Sequence, residues 1–295
     1  MSQDPQNVIG SADTLALVAS PLIAHRSPIG AAQIKSLVDA AADAGFKGLS
    51  IWTSHHDWAV DDGMTSEEYF AYHRERGLDV ISADVLTEWG NADLKAITSA
   101  NSHILDVSAR AGARYVIAIM LPGGVPSMAD AASGLGHLCD LAAERGLAVS
   151  FEFLPFTAVP TIASAVEFLN AVDRDNLGLV IDAWHWFRQP GGPDIATLRT
   201  IPPERIHIVQ LNDAPQTPAE DIVMETFTAR LLPGEGDIDL LALLDALADM
   251  GAAPAVMAEV FSMSLAELGA AEFARLQYDA SRAVLEQHWT SAARR

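Results

Sequence analysis

Short apolar runs alternate with amphipathic segments along most of the chain. Four times, an amphipathic stretch ends in glycine and an apolar run follows at once. These segments read AAADAGFKGLSIW, YHRERGLDVISAD, SARAGARYVIAIM and LAAERGLAVSFEF, and their glycines are Gly45, Gly77, Gly112 and Gly146, spaced 32, 35 and 34 residues apart. Glycine just past a helix end is the usual left-handed cap. The apolar run behind it predicts a strand that is buried on both faces.

The same alternation continues in the second half with fewer glycine signals. Further strands are predicted at Leu177–Asp182, Arg205–Leu211 and Pro254–Val260, and Thr14–Ser20 supplies one before the first helix. The helical segments between the strands include Ile34–Ala44, Leu135–Arg145, Leu240–Met250 and Leu265–Leu285.

Eight strands that each precede a helix predict the α/β class and a (β/α)8 TIM barrel. We expect one domain over residues 1–295, with the barrel between about 14 and 285. The alternative is a doubly wound open sheet. No G-x-G-x-x-G follows the first strand, which disfavours a dinucleotide-binding fold of that kind.

Composition narrows the function classes. Half of the residues are hydrophobic and 19% are charged, so a large core is available. The 39 acidic against 18 basic residues give a net charge of −21, which disfavours nucleic-acid and membrane-surface partners. Cys139 is the only cysteine, which excludes an intrachain disulfide and a multi-cysteine metal site. Without an apolar leader or an 18-residue apolar run, a soluble, cytoplasmic protein is expected; a homo-oligomer stays open.

Polar residues interrupt the apolar runs at the ends of the last four predicted strands. They are Glu152, Asp182, Gln210 and Glu259. Since barrel chemistry gathers at the carboxyl ends of the strands, these side chains are expected to converge there. Three carboxylates at one barrel mouth require a cation to stay ionised. Their oxygens suit a hard divalent ion such as Mg²⁺ or Mn²⁺ better than zinc.

Strand alternation gives the expected direction of these side chains. The strand faces that carry Glu152, Asp182 and Glu259 have smaller residues than the opposite faces, as suits a crowded barrel interior. Gln210 shares its face with Ile206 and Ile208. His207 is an odd number of residues from Gln210 and is therefore expected to point to the opposite side.

Five motifs carry a family resemblance. They are SFEF around Glu152, IDAWH with Asp182 and His185, IHIVQLNDAP around Gln210, RLLPGEGDID, and MAEVF with Glu259. With them the chain resembles the xylose isomerase-like TIM barrel superfamily, the sugar phosphate isomerases and epimerases. The resemblance implies one divalent metal ion, Mn²⁺ or Mg²⁺ with Co²⁺ as an alternative, held by Glu152, Asp182, Gln210 and Glu259.

The resemblance also implies roles for His185 and Arg230, and the chain differs from the family pattern at Gln210. His185 is expected to bind substrate or handle a proton, and Arg230 to anchor the substrate. Gln210 stands where sugar epimerases of the family commonly have histidine, and glutamine also occurs in the dehydroshikimate-dehydratase branch. The PGEG sequence at Pro233–Gly236 is expected to open a helix whose N-terminus can hold an anion.

Other residues are candidates because of their position alone. His55 and His56 follow the second strand and Glu88 follows the third, so all three can line the pocket. His55 or His56 can also act as an acid or base. Trp184 is expected to form part of the pocket wall. The alternative for the two histidines and the glutamate is a solvated loop.

These residues together predict an enzyme. We expect a divalent-metal-dependent isomerase or epimerase that acts on a polyhydroxy ketone or sugar-like substrate through a metal-stabilised enediolate, with Glu152 and Glu259 exchanging the proton. The alternative is a metal-dependent dehydratase of the 3-dehydroshikimate or keto-inositol type, with His185 as acid. A non-catalytic sugar-binding barrel is less favoured. The charge of −21 argues for an unphosphorylated polyol or keto-sugar, with Arg230, Arg188 and Arg26 as the nearby cations.

Overall fold

Eight parallel strands form a closed barrel, in which each strand pairs with the next one along the chain and the last pairs with the first. This computed structural model describes residues 9–10, 14–22, 28–123, 125 and 127–294. The strands are β1 (Ala16–Val18), β2 (Gly48–Trp52), β3 (Asp79–Leu86), β4 (Tyr115–Ile119), β5 (Ala148–Glu152), β6 (Leu177–Asp182), β7 (Ile206–Leu211) and β8 (Ala255–Ala258). The predicted single-domain (β/α)8 barrel is confirmed.

Helices surround the barrel. Those in the described part of the chain are α1 (Ala31–Ala44), α2 (Thr53–Asp61), α3 (Ser66–Glu75), α4 (Leu94–Ala111), α5 (Met128–Ala143), α6 (Ile162–Val172), α7 (Ala183–Arg188), α8 (Ile195–Leu198), α9 (Ile222–Thr228), α10 (Leu240–Asp249), α11 (Met263–Ala266) and α12 (Ala270–Ala292). None of these helices combines the length and the apolar character that a bilayer crossing requires.

The core has two layers. A large cluster lies between the helices and the outer faces of the strands. A smaller one fills the barrel and is made of Ala16, Val18, Ile117, Val180, Ile208 and Met257. Because parallel strands in a barrel are covered on both faces, their sequences are almost continuously apolar. The polar strand-end residues are therefore conspicuous exceptions.

Two glycines show why the helix-to-strand junctions repeat. Gly45 ends α1 with φ +111° and Gly112 ends α4 with φ +81°, both in the left-handed region that a side chain disfavours. The same requirement breaks the predicted helix Leu265–Leu285 into α11 and α12. Gly269, with φ +87°, lies between them and interrupts the right-handed helical path.

His207 does not point away from the barrel interior as the alternation predicted. The register between β6 and β7 shifts by one residue, from Leu179 opposite Ile206 to Val180 opposite Ile208. This bulge turns Ile206 into the outer core and brings His207 Nδ1 to 2.9 Å from Ser150 Oγ. A side chain at Gly178 would collide with the His207 ring, so the glycine makes room for the bulge.

Candidate active site

A cavity of about 230 Å³ opens at the carboxyl ends of the strands. Its wall includes aromatic side chains from four segments, Trp52, Phe156, Phe227 and Phe261. Its polar lining consists of Asp84, Thr87, Glu152, His185, Gln210, Thr226, Arg230 and Glu259. Apolar walls with a few convergent polar groups are the usual composition of a small-molecule site.

The strands place the predicted polar residues at this mouth. Glu152 and Asp182 are the last residues of β5 and β6, and Gln210 pairs in register with Asp182 on β7. Glu259 directly follows β8. Asp182 is also the N-cap of α7, because its Oδ1 accepts a hydrogen bond from the His185 backbone N–H at 2.9 Å. The D-x-x-H spacing thus fixes the histidine one helical turn beyond the aspartate.

Arg230 forms ion pairs with two of these carboxylates, Asp182 and Glu259. Its Nη1 lies 2.9 Å from Asp182 Oδ2 and 3.0 Å from Glu259 Oε2. Its Nε and Nη2 donate to the backbone oxygen and the hydroxyl of Thr226, each at 2.9 Å, and Nη2 is 3.5 Å from His185 Nε2. The side chain is only 2% exposed. Arg230 therefore lines the cavity as the counter-ion of two carboxylates.

The two carboxylates respond differently to this shared cation. Burial alone would raise the pKa of Asp182, but the charge of Arg230 and hydrogen bonds from His185 and Asn212 hold that pKa below its usual value. Burial raises the pKa of Glu259 well above its usual value, and Arg230 offsets this only in part because Glu152 adds repulsion. One buried arginine is thus shared among more carboxylates than it can neutralise.

The donor set fits a divalent cation. One ligand atom from each of Glu152, Asp182 and His185 lies within 4.8 Å of the others, and all three residues are buried. Asp182 Oδ1 accepts one hydrogen bond and so keeps a free lone pair. The Oε1 atom of Gln210 is buried without a hydrogen-bond partner. An unpartnered buried acceptor beside surplus carboxylate charge is what an oxygen-preferring ion satisfies.

The cluster is not the same set as the predicted ligands. It contains His185, whereas Glu259 lies against Arg230 and accepts from Gln210 Nε2 at 3.2 Å. His185 Nε2 is 3.3 Å from Glu152 Oε1. Four of the five residues thus line one cavity, and Asp182 is buried next to them. The histidine is closer to the carboxylates than expected.

Asp84 is a site residue that the sequence analysis missed. It lies on β3, is buried and lines the cavity. Ser50 donates to its Oδ2 at 2.7 Å, and Ser82 donates to Ser50 at 2.8 Å. Burial, with a smaller contribution from Glu152, raises the pKa of Asp84 to about 7. The signal was present, since the run DVISAD ends in a carboxylate just as SFE and VID do.

His55 and His56 are not among the residues that line this cavity. The chain enters α2 directly after β2, which buries His55 between Trp52 and Trp58, with ring centroids at 6.1 and 5.6 Å. That burial lowers the pKa of His55 to about 4. His56 points toward neighbouring helices instead, with Nε2 2.9 Å from Ser66 Oγ.

Glu88 and Trp184 are close to the cavity without lining it. Glu88 is exposed and lines an adjoining recess of about 260 Å³. Trp184 is fully buried, donates from Nε1 to Glu225 at 3.1 Å, and has its ring 5.7 Å from the Arg230 guanidinium. Trp184 therefore packs against Arg230 without lining the cavity.

The sequence also predicted Arg188 and Arg26 as cations near the cavity. Arg188 is engaged by Glu225, with Nη2 2.7 Å from Oε1. Arg26 lies outside the described residues.

The turn Pro233–Gly236 does not open a helix. The following helix, α10, begins at Leu240 and is capped by Asp239. The backbone N–H groups of Gly234 and Ile238 donate to the carboxylate of Asp213 at 2.9 and 3.0 Å. The anion that this turn holds is therefore a side chain of the protein itself.

The chain is similar in sequence and in structure to several known proteins. An inosose isomerase of Bacillus velezensis is 29% identical over 236 residues, 77% of this chain and 81% of that protein. A 3-dehydroshikimate dehydratase of Pseudomonas aeruginosa is 33% identical over 132 residues, 44% of this chain and 20% of that longer protein. The crystal structure of the IolI protein with a bound zinc atom has a TM-score of 0.79 at 23% identity, covering 93% of this chain and 99% of that one.

A family model covers the larger part of the chain. The model described as xylose isomerase-like TIM barrel matches residues 38–288, which include β2 to β8 and every strand-end residue of the cavity. The motifs around Glu152, Asp182 and Glu259 lie within this match. The chain belongs to the xylose isomerase-like TIM barrel family.

Proposed function

We propose that this protein is a divalent-metal-dependent isomerase or epimerase that moves a proton next to the carbonyl of a polyhydroxy ketone. The observation that carries the proposal is the meeting of Glu152 and Glu259 at one small cavity that Gln210 and His185 also line. Asp182 is buried next to this cavity, within 4.8 Å of ligand atoms of Glu152 and His185. A sugar-binding barrel without catalysis has no need of two carboxylates beside a cation site. The two glutamates are therefore the proton-transfer groups.

The strand positions separate the two glutamates. Glu152 comes from β5 and Glu259 follows β8, so three steps around the closed barrel lie between them. A molecule in the cavity consequently meets the two carboxylates on different sides. One glutamate removes the proton beside the carbonyl, and the other returns a proton to the opposite face or to the neighbouring carbon. The first outcome is epimerisation and the second is isomerisation.

Glu152, Asp182, Gln210 and Glu259 hold the divalent ion in this proposal, with His185 as a further donor. When bound, a divalent ion such as Mn²⁺, Mg²⁺ or Co²⁺ stabilises negative charge that develops on the substrate oxygens. Arg230 keeps Asp182 ionised and oriented and contacts the substrate from the cavity wall. The apolar aromatic wall excludes water from the reacting carbon.

The cavity supports a small unphosphorylated substrate. Its volume of about 230 Å³ lies below the roughly 300 Å³ at which pockets for drug-sized ligands begin. Among the described lining residues, Arg230 is the one cation of permanent charge, and its donors already have partners. An inosose is a keto-inositol, a cyclic polyhydroxy ketone, so the B. velezensis relative supports this substrate class.

A dehydratase is the second candidate function. Gln210 at the third ligand position and the similarity to a 3-dehydroshikimate dehydratase favour it. Loss of a β-hydroxyl from the same enolised substrate requires an acid, and His185 at the cavity wall supplies one.

Deuterium wash-in tests the proposal. The chelator-treated protein is reloaded with Mn²⁺, Mg²⁺ or Co²⁺ and incubated in D₂O with ketoses, keto-inositols and 3-dehydroshikimate. Deuterium beside the carbonyl together with an isomerised or epimerised product is the expected result. Water loss from 3-dehydroshikimate or a keto-inositol would select the dehydratase. Binding of a polyol with neither exchange nor product under any metal would contradict both and favour the sugar-binding barrel.

A further inference from the structure

Three metal-binding side chains meet at a second place, outside the barrel mouth. His56 and Asp57 lie on α2, and His103 lies on α4. Oδ1 of Asp57 is 2.9 Å from His56 Nδ1 and 2.8 Å from His103 Nε2. The three ligand atoms lie within 4.8 Å of one another. None of these residues lines the cavity at the strand ends.

His56 is held in place from its far side. Its Nε2 lies 2.9 Å from Ser66 Oγ, and its ring stacks on Phe70 with a centroid distance of 5.4 Å and an interplanar angle of 9°. A metal-binding histidine usually has its second nitrogen fixed by such a hydrogen bond, which sets the direction of the free nitrogen. Here the other ring nitrogen, Nδ1, is directed at Asp57 Oδ1, the atom that His103 Nε2 also contacts.

The surroundings also favour a cation. Both ion pairs of Asp57 in the described residues are with histidines, so no arginine or lysine there competes for its carboxylate. The chain carries a net charge of −21. The His103 side chain is 59% exposed and the Asp57 side chain 41% exposed, so an ion can reach the group and keep water as a fourth ligand.

We propose that His56, Asp57 and His103 form a second divalent-metal site that clips α2 to α4. Two imidazole nitrogens and one carboxylate oxygen are a set that Zn²⁺, and Co²⁺ as its analogue, accept in tetrahedral geometry. This donor set is richer in nitrogen than the oxygen-dominated group at the barrel mouth. The two sites therefore differ in metal preference, and occupancy of the second one does not depend on catalysis.

Counting bound ions tests this site. The full chain is stripped with a chelator and titrated with Co²⁺, followed by visible absorption, and with Zn²⁺, followed by equilibrium dialysis and elemental analysis. His103→Ala is expected to bind one ion fewer than the wild type. Asp57→Asn can still accept hydrogen bonds from both histidines but is a poorer ligand, so it should lower the affinity of this site at least tenfold.

His137→Ala is the matched control. His137 is on α5 and contacts Thr98 of α4 at 2.8 Å, so its loss also disturbs α4 without touching Asp57. It should bind as many ions as the wild type. Because the readout is a difference of one ion, it stands even if the barrel mouth holds no metal. Equal ion counts for wild type and His103→Ala, with both folded by circular dichroism, would overturn the proposal.

Discussion

Arg230 and Asp182 form an ion pair within the protein, with 2.9 Å between Nη1 and Oδ2 and at most 2% of either side chain exposed. A buried pair of this kind contributes little compared with an apolar one, but breaking it leaves a charge that water cannot reach. Glu259 shares the same guanidinium. The pair therefore controls the charge balance of the whole cavity.

Arg230→Met should lower the free energy of unfolding of the metal-free protein by about 3–5 kcal/mol, because Asp182 and Glu259 lose their cation. Urea unfolding at neutral pH measures this change. The control is Arg199→Met, which removes an exposed pair with Asp249 and should cost less than about 1 kcal/mol. Equal effects of the two substitutions would mean that Arg230 does not neutralise the site.

Glu152→Gln should greatly slow solvent exchange at the substrate carbon while some metal still binds, because an oxygen ligand remains and the base is gone. A rate loss on the order of 10²–10⁴-fold is expected for removal of a general base. Proton NMR in D₂O gives the exchange rate, and elemental analysis gives the metal content. Glu88→Gln, at an exposed position outside the cavity, is the control and should exchange normally. Retained exchange in Glu152→Gln would assign the base to another residue.

Gln210→His should be tolerated structurally and should shift metal preference toward Co²⁺ or Zn²⁺, because imidazole is a softer donor than a carboxamide oxygen. The protein is incubated with equal concentrations of Mn²⁺ and Zn²⁺ and its content is measured after dialysis. The measurement is made in a His103→Ala background, so that the site on α2 and α4 does not contribute. Unchanged selectivity would place Gln210 outside the ligand set.

Asp84→Asn should flatten the pH dependence of stability. Folding raises the pKa of Asp84 from 3.8 to about 7. Between those values the folded chain holds a proton that the unfolded chain has released, so metal-free stability falls as pH rises from about 4 to 7. The shift corresponds to a loss of up to about 4 kcal/mol. Unfolding free energies at pH 4 and pH 8 measure it.

Asp79→Asn serves as the comparison for Asp84, since Asp79 is an exposed carboxylate at the start of the same strand. Its pH profile should match that of the wild type. If Asp84→Asn also kept the wild-type slope, burial of Asp84 would not be the source of the pH dependence.

Unphosphorylated substrates should be preferred over their phosphate esters. A dianion entering the cavity meets several carboxylates and one arginine whose donors are already used. We expect kcat/KM to fall on the order of tenfold or more when a phosphate is added to an otherwise matched substrate. Steady-state kinetics on such pairs measures the ratio. A higher kcat/KM for the phosphorylated member would refute this view of the cavity.

The sequence was sufficient for the barrel because each unit carries its own signals. A left-handed glycine such as Gly112 ends a helix, and an uninterrupted apolar run follows it as a doubly covered strand. Strand-end carboxylates such as Glu152 and Asp182 then follow from the polarity of parallel strands. These features depend on local sequence only.

Side-chain direction was harder to predict. The bulge at His207 depends on how β6 and β7 pair, which no alternation within one strand reveals. His56 turned away from the cavity because α2 begins at Thr53, immediately after β2, where a loop had been an open alternative. Asp84 ends an apolar run as Glu152 and Asp182 do, but β3 continues to Leu86, so Asp84 lies inside the strand and not at its end. The direction of these side chains depends on contacts between segments that are far apart in the sequence.

Thr226 of α9 holds Arg230 through its backbone oxygen and its hydroxyl, and the next residue, Phe227, forms part of the cavity wall. The helix that forms part of the cavity wall therefore also positions the cation that Asp182 and Glu259 share. Displacing α9 would change this wall and remove two hydrogen-bond acceptors of Arg230 together. Substitutions in this short helix accordingly act on the wall and on charge together, so directed changes of substrate range there must be compensated at the carboxylates.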